Sequence, residues 1–498
     1  MRRVLRGTWR RVSVYCEGGD MVRVITGTRR IADEYPDILR DESSLSGGNC
    51  QVAAWPESIE EVSSFLRECR EDRVPVTVSG ARTGVAGGAV PMGGALLSTE
   101  RLRGLGPGEG PGTLSAMAGE TIEGIRSYCV KNLPDHFYPP DPTEATASLG
   151  GTLATDASGA SGYMYGSTRK WINSIEVVLP GGTPLKVRRG EHRFRKGRLI
   201  HPVLGKLQLP EKERPRFPKN AAGLYMEPDM DLIDLFIGSE GELGVICGAE
   251  LQLRQKPYAT ASLAVFCTEE QFWVLRNDLM ESSLPVRELE AMLPPCLTFL
   301  NENHGAFIHP PGDWVLITSI EAESEDDLDR ILETLDVMLS ERGVSPDCTW
   351  GGFDEAERER LREFRHGLPE TVNRIVARNA AGNPSIHKIS TDTAVPRELL
   401  RDYHGYMVTV LRGTGVPHVV FGHAGQGHLH ANLLPQNDAG LASSEKAVEL
   451  LARRAVLLGG TVSAEHGTGR LKKHLLECMY SQKELQGMEL LKERLRTL

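Results

Sequence analysis

The sequence predicts an α+β protein with two principal domains and a short helical C-terminal segment. Three observations carry that expectation. A chain of 498 residues exceeds what one hydrophobic core organises. Three glycine-rich segments, near residues 79–88, 147–166 and 235–246, each adjoin an apolar, β-rich run. After about Pro257 the texture changes to two successive β–α passes, which reads as a ferredoxin-like layer. Hydrophobic residues make up 40% and charged residues 25%, so bulk disorder is excluded.

Taken in order, the N-terminus is basic (Arg2, Arg3, Arg6, Arg10, Arg11) and lacks the apolar stretch of a signal peptide. We read it as a disordered tail, able to touch anionic lipid, with Met21 as a second candidate start. Ser58-Ile59-Glu60-Glu61 looks like a capping box opening a helix to about Asp72. Residues 74–78 form a β-rich run. The loop after it holds Gly80, Gly84, Gly87 and Gly88, suited to close backbone approach to an anion, although its spacing is neither a P-loop nor G-x-G-x-x-G. Residues 147–166 are small and polar; they are either a flexible linker or a loop wrapping a large planar cofactor, and residues 175–179 are a strand candidate. Residues 186–198 read as a solvated basic insertion. Strands are expected at 262–267 and 314–320, and helices at 269–280, 325–339 (N-cap Ser324), 397–411, 443–458 and beyond Leu471.

The net charge of −10 argues against a nucleic-acid partner. Nine scattered cysteines without a C-x-x-C pair read as reduced thiols of a cytoplasmic protein, with peripheral contact to the inner face of a membrane left open. No run of about 18 apolar residues is present.

Three histidines, His423, His428 and His430, lie within eight positions, spaced by glycines. Imidazole is the commonest neutral metal ligand. Glu465 would complete a set with His423 and His430, leaving His466 beside the metal as a free base. A structural role for each histidine is the plainer alternative.

The glycine segments Val74-Pro75-Val76-Thr77-Val78-Ser79-Gly80-Ala81-Arg82-Thr83-Gly84, Leu149-Gly150-Gly151-Thr152-Leu153-Ala154-Thr155-Asp156-Ala157-Ser158-Gly159 and Phe236-Ile237-Gly238-Ser239-Glu240-Gly241-Glu242-Leu243-Gly244 resemble the flavin domain of the vanillyl-alcohol-oxidase family. The C-terminal half resembles its branch containing D-lactate dehydrogenase, the glycolate oxidase flavoprotein subunit and D-2-hydroxyglutarate dehydrogenase. The resemblance covers roughly residues 45–480. It implies an N-terminal extension (1–44), a PCMH-type FAD-binding domain of two α/β subdomains (45–257), a substrate domain (258–460) and a C-terminal segment (461–498) returning to the FAD domain.

It further implies non-covalent FAD, since neither loop offers the histidine or cysteine that tethers the flavin in some relatives. The cofactor would be held by Ser79, Gly80, Ala81, Arg82, Thr83 and Gly84, by Pro140, Asp141, Ser148, Gly150, Gly151, Thr155, Asp156, Ala157 and Gly159, and by Glu240, Gly244, Val245 and Ile246. His423, His430 and Glu465 match metal ligands, zinc being the expected ion. His466 matches the catalytic base; Arg365 and Lys388 match cations at a substrate carboxylate. Two departures stand out. Where the common relative reads Gly-Asp-Gly-Asn-Leu-His, this chain has Gln426 and His428, the latter at a substrate-contacting position. Asp156 replaces a more usual asparagine.

These roles fit one reaction. A metal lowers the pKa of a substrate hydroxyl, His466 takes its proton, and a hydride passes from Cα to flavin N5. We therefore expect an FAD-dependent dehydrogenase of a small D-2-hydroxy acid, D-lactate first, with glycolate or D-2-hydroxyglutarate, or a flavin subunit of a larger complex, as alternatives. A buried ion pair with Glu363 or Glu370 would account for Arg365 equally well. No iron–sulfur or haem motif is present, so an external acceptor (quinone, cytochrome, iron–sulfur subunit or electron-transfer flavoprotein) is required. A homodimer is allowed.

Overall fold

The computed structural model describes residues 22–498 apart from 212, 214–216, 305–311 and 353; the basic N-terminal stretch and Met21 lie outside the described residues. The first sheet has four strands in the order Arg23–Thr26, Val52–Trp55, Ala95–Ser98, Val76–Ser79. The last three run parallel. The two central strands are buried throughout, as expected of a covered parallel sheet. Arg23–Thr26 pairs antiparallel with Val52–Trp55. The expected extension is thus, from residue 23, an edge strand of this sheet, because the backbone of Val52–Trp55 requires a partner on its open side. In the helix Ile59–Glu71, Ser58 Oγ accepts from the Glu61 N–H at 3.2 Å, whereas the Glu61 carboxylate accepts from the Glu57 N–H at 2.7 Å. Only half of the expected capping box is made.

A second, five-stranded antiparallel sheet has the order Leu105–Pro107, Thr113–Met117, Val245–Gln252, Ile172–Val178, Pro184–Arg188. Its core includes Met488, Leu491 and Leu495 of the C-terminal helix Gln482–Arg496, so the end of the chain packs back on this layer. The expected basic insertion contributes the strands Pro184–Arg188 and Arg198–His201.

The third sheet has seven strands, in the order Thr349–Gly352, Ala259–Cys267, Trp314–Ala322, Val286–Leu293, His418–Gly422, His430–Leu433, Ile389–Ser390. With the helices Glu269–Glu281 and Glu325–Glu341, the first four form a split βαβ unit, the ferredoxin-like arrangement. Ala259–Cys267 is buried on both faces: Leu263 and Val265 face one core, while Ala264 and Phe266 pack with Phe364, Leu368 and Val372 of the long helix Glu355–Gly382. That packing aims the Arg365 side of the helix at the FAD-type domain. The hairpin between His418–Gly422 and His430–Leu433 carries the histidines to the same place.

Candidate active site

A cavity of about 390 Å³ lies between the two glycine-loop layers and the seven-stranded sheet. On one side, the loop after Val76–Ser79 contributes residues 80–84. Ser148 Oγ accepts from the Ala81 and Gly151 N–H groups at 3.2 and 3.3 Å, stitching the first two glycine segments together. Gly80 is required there, since an added Cβ would stand 2.4 Å from that hydroxyl. A Cβ on Gly84 would meet no atom within 4 Å and would enter the cavity.

Of the residues expected at the cofactor, residues 80–84, Ser148, Gly150, Gly151, Thr155, Ala157, Gly159, Glu240, Gly244 and Ile246 line this cavity; Ser79, Pro140, Asp141, Asp156 and Val245 do not. Ser79 ends its strand behind the loop, its carbonyl accepting from the Thr99 N–H at 2.9 Å. Pro140 is buried, and Asp141 is turned to Arg126. Val245 faces Val178 in the second sheet. Asp156 holds Arg169 at 3.0 Å, and the Arg169 guanidinium lies 4.0 Å from the Tyr225 ring. Aspartate here forms a buried ion pair, which asparagine would not.

On the other side, His423, His430, Glu465 and His466 meet. Glu465 Oε1 is 3.0 Å from His423 Nε2 and 3.2 Å from His430 Nε2. Its Oε2 accepts from Ser158 Oγ at 2.9 Å and from Lys219 Nζ at 3.0 Å. Glu465 and His466 are neighbours in sequence, yet both reach the cavity because the chain bends there, with Gly467 and Gly469 at φ of +71° and +48°. His466 Nδ1 lies 3.4 Å from Asp392 Oδ1, and its ring stacks on His430 with centroids 5.1 Å apart. Burial pushes the His466 imidazole down to about 4 against the opposing pull of Asp392, so it is neutral at physiological pH.

Arg365 and Lys388 also line the cavity. Arg365 donates to Glu290 Oε2 at 2.8 Å and to Thr143 Oγ1 at 3.3 Å; its partner is neither Glu363 nor Glu370. The other oxygen of Glu290 is 2.5 Å from His423 Nδ1. Burial alone would raise the Glu290 carboxyl, but His423 and Arg365 hold it below the usual carboxylate range. Lys388 donates to Asn373 Oδ1 at 2.8 Å, and burial, reinforced by Lys472, pushes its ammonium down to about 8. His428 departs from expectation. It is fully buried behind His430, with ring centroids 4.1 Å apart, and is not on the cavity wall.

Residues 50–188 match the FAD binding domain family and residues 256–495 the C-terminal domain of FAD linked oxidases. The chain belongs to the FAD-linked oxidase family. It is 27% identical over 445 residues to glycolate oxidase subunit GlcD of Bacillus subtilis (strain 168), covering 88% of this chain and 84% of that protein. To a D-lactate dehydrogenase of Anaerostipes hadrus it is 26% identical over 477 residues, with 92% and 90% covered. Among solved structures, 4-ethylphenol oxidase from Gulosibacter chungangensis in complex with isoeugenol is similar at a TM-score of 0.67 and 15% identity, over 95% of this chain and 92% of that one. The fold is therefore α+β with a PCMH-type FAD-binding domain, and this FAD-linked oxidase is an oxidoreductase.

The residues present fit FAD: the Gly84 Cβ position meets no atom within 4 Å at the cavity wall, and the glycines at 150 and 244 let the other cavity-lining loops pack directly on Ala118 and Val178. They also fit a divalent metal. Two imidazole nitrogens and one carboxylate oxygen converge, while the buried His428 Nδ1, Asp392 Oδ1 and His466 Nδ1 have no hydrogen-bond partner. Sequence reasoning missed Glu290, Asp392 and Lys219. Asp392 stands four residues after Lys388, and Glu290 alternates with apolar residues on a strand, a weak signal. Lys219 left none.

Proposed function

We propose that this FAD-linked oxidase is a dehydrogenase of D-2-hydroxy acids, D-lactate first, producing the 2-oxo acid. The observation that carries the reading is the meeting of His466, the His423–His430–Glu465 donors, Arg365 and Lys388 on one wall of a cavity whose other wall is the glycine loops. Residues 80–84, 148–159 and 240–246 would hold FAD, which when bound accepts the substrate's Cα hydride. His423, His430 and Glu465 would hold a divalent ion, zinc in our reading, whose Lewis acidity makes an adjacent hydroxyl acidic near neutral pH.

The remaining work falls to side chains. Arg365, fixed by Glu290 and Thr143, and Lys388, fixed by Asn373, orient the substrate carboxylate. Asp392 beside Nδ1 favours the tautomer of His466 that keeps its Nε2 lone pair for the hydroxyl proton. Loss of that proton and of the hydride converts the alcohol carbon to a carbonyl, and the two electrons then leave to an external acceptor. Among the described residues no helix is long and apolar enough to cross a membrane. The test is anaerobic bleaching of the flavin by D-lactate, glycolate, D-2-hydroxyglutarate and L-lactate. Fast reduction by a D-2-hydroxy acid, with D-lactate ahead of the others, is expected; equal rates with D- and L-lactate would overturn a chiral grip by Arg365, Lys388 and the metal donors.

A further inference from the structure

We propose that His428 is a fourth protein ligand of this metal site, bound through Nδ1. The inference rests on the metal reading above and adds a donor to it. His428 sits on the hairpin between His423 and His430, and its side chain is 0% exposed. Neither ring nitrogen has a hydrogen-bond partner of good geometry. A buried imidazole left so is costly unless something meets it. Nδ1 lies 4.0 Å from Glu465 Oε1, and one donor atom each from His423, His428, His430 and Glu465 falls within 4.8 Å of the others. Donors about 2.0–2.1 Å from one ion stand about 3.4 Å apart at tetrahedral angles, so closing the set takes shifts of roughly half to one ångström.

The surroundings of the three histidines support the same assignment. His423 turns Nε2 to Glu465 and Nδ1 to Glu290 Oε1 at 2.5 Å. His430 turns Nε2 to Glu465 and Nδ1 to the Thr391 carbonyl at 3.2 Å. His428 repeats the pattern with its nitrogens exchanged: Nε2 lies 3.2 Å from Asp392 Oδ1, and Nδ1 faces Glu465. A metal-binding imidazole characteristically has its second nitrogen on a carboxylate or carbonyl; those of His423 and His430 are hydrogen-bonded so, and that of His428 faces Asp392, within reach of the same arrangement once the ring shifts. Ser158 and Lys219 occupy Glu465 Oε2 and leave Oε1 for the ion.

Three imidazoles and one carboxylate oxygen would fill a tetrahedral shell, so a chelating hydroxy acid would have to expand it. Asp392 Oδ1 would also serve two histidines, the ligand His428 and the base His466.

The test is X-ray absorption at the zinc edge on the FAD- and zinc-loaded protein, beside zinc affinity by chelator competition, for wild type and His428→Asn. Three imidazoles are expected in wild type and two in the variant. The affinity loss should exceed the about 10–100-fold that an orienting partner alone is worth. Full FAD content in the variant reports that it folds, and the wild-type spectrum stands even where the variant does not. Zinc held by two imidazoles in wild type would overturn this inference alone. A wild-type protein that takes up no zinc would end the metal reading, and this inference with it.

Discussion

The Glu240 carboxylate accepts a hydrogen bond from the Gly469 N–H at 2.7 Å. It also accepts from the Thr468 N–H at 2.9 Å and the Thr468 hydroxyl at 3.0 Å. The loop that faces the cofactor cavity therefore clasps the segment carrying Glu465 and His466. An added Cβ on Gly467 would come within 2.7 Å of that carboxylate, and one on Gly469 within 2.1 Å of the Ala86 carbonyl of the first glycine loop. Both glycine loops thus set the position of His466. Glu240→Ala is expected to slow anaerobic flavin reduction by about 10–100-fold per bound FAD, the size of effect that a misplacement of about 1 Å produces. A wild-type rate in stopped-flow absorbance would show that the clasp does not position His466.

Gly84→Val is expected to abolish FAD binding, because its side chain would fill open cavity space. The flavin absorbance of the purified variant measures this, and full occupancy would move the cofactor elsewhere. In the wild-type protein the flavin should be released by acid or heat; colour that stays with the precipitate would show a covalent link.

Arg365 and His423 share Glu290, so variants at these positions should separate carboxylate grip from metal grip. Arg365→Ala is expected to cost about 2–5 kcal/mol in kcat/KM for the hydroxy acid, mostly through KM, while the metal is retained. Glu290→Gln is expected to weaken metal binding by about 10–100-fold, because His423 loses its orienting carboxylate. Steady-state kinetics with metal analysis checks both; loss of metal in Arg365→Ala would contradict the division.

Lys388 supplies a pH dependence. Burial pushes its ammonium down to about 8, so it is cationic below that value. Carboxylate grip is therefore complete below pH 8 and fades as pH rises through it. KM for the hydroxy acid should climb by up to about tenfold per pH unit above that point. In Lys388→Met the KM should be high and lack this alkaline rise. The same shift from 10.5 makes the folded chain bind fewer protons than the unfolded chain between about 8 and 10.5, so this residue's burial cost is relieved as pH rises through that window. A KM that falls on the alkaline side would contradict the assignment.

Local signals were legible where local physics decides. Glu269–Glu281 begins at Thr268 with a full capping box, and Ser324 caps Glu325–Glu341 as its sequence indicates. Val286–Leu293 was not legible as a strand, because Arg287, Glu288 and Glu290 interrupt its apolar run, and those charges bond Ser161 and Arg365, distant in sequence. That His423, His430, Glu465 and His466 belong together was legible from histidines, glycines and resemblance, and the four do meet at the cavity. Their partners were not. Glu290 is 133 residues from His423, and Lys219 is likewise far in sequence from Glu465, contacts that only the tertiary fold creates. His428 looked like a substrate contact because the resemblance sets it at a substrate-contacting position; after the turn at Gly427, with φ +71°, its ring packs against His430 off the cavity wall instead.

The central claim is that His466 is the base, while His423, His430 and Glu465 hold the metal. The direct measurement is rapid-mixing flavin reduction by D-lactate without oxygen, on His466→Ala of known metal and FAD content. The variant should keep both and reduce its flavin about 10²–10⁴-fold more slowly than wild type, the usual worth of a general base. His423→Ala, His430→Ala and Glu465→Ala should instead lose metal and keep FAD. His466→Ala protein that has lost its metal, or that reduces its flavin at the wild-type rate, would contradict the account.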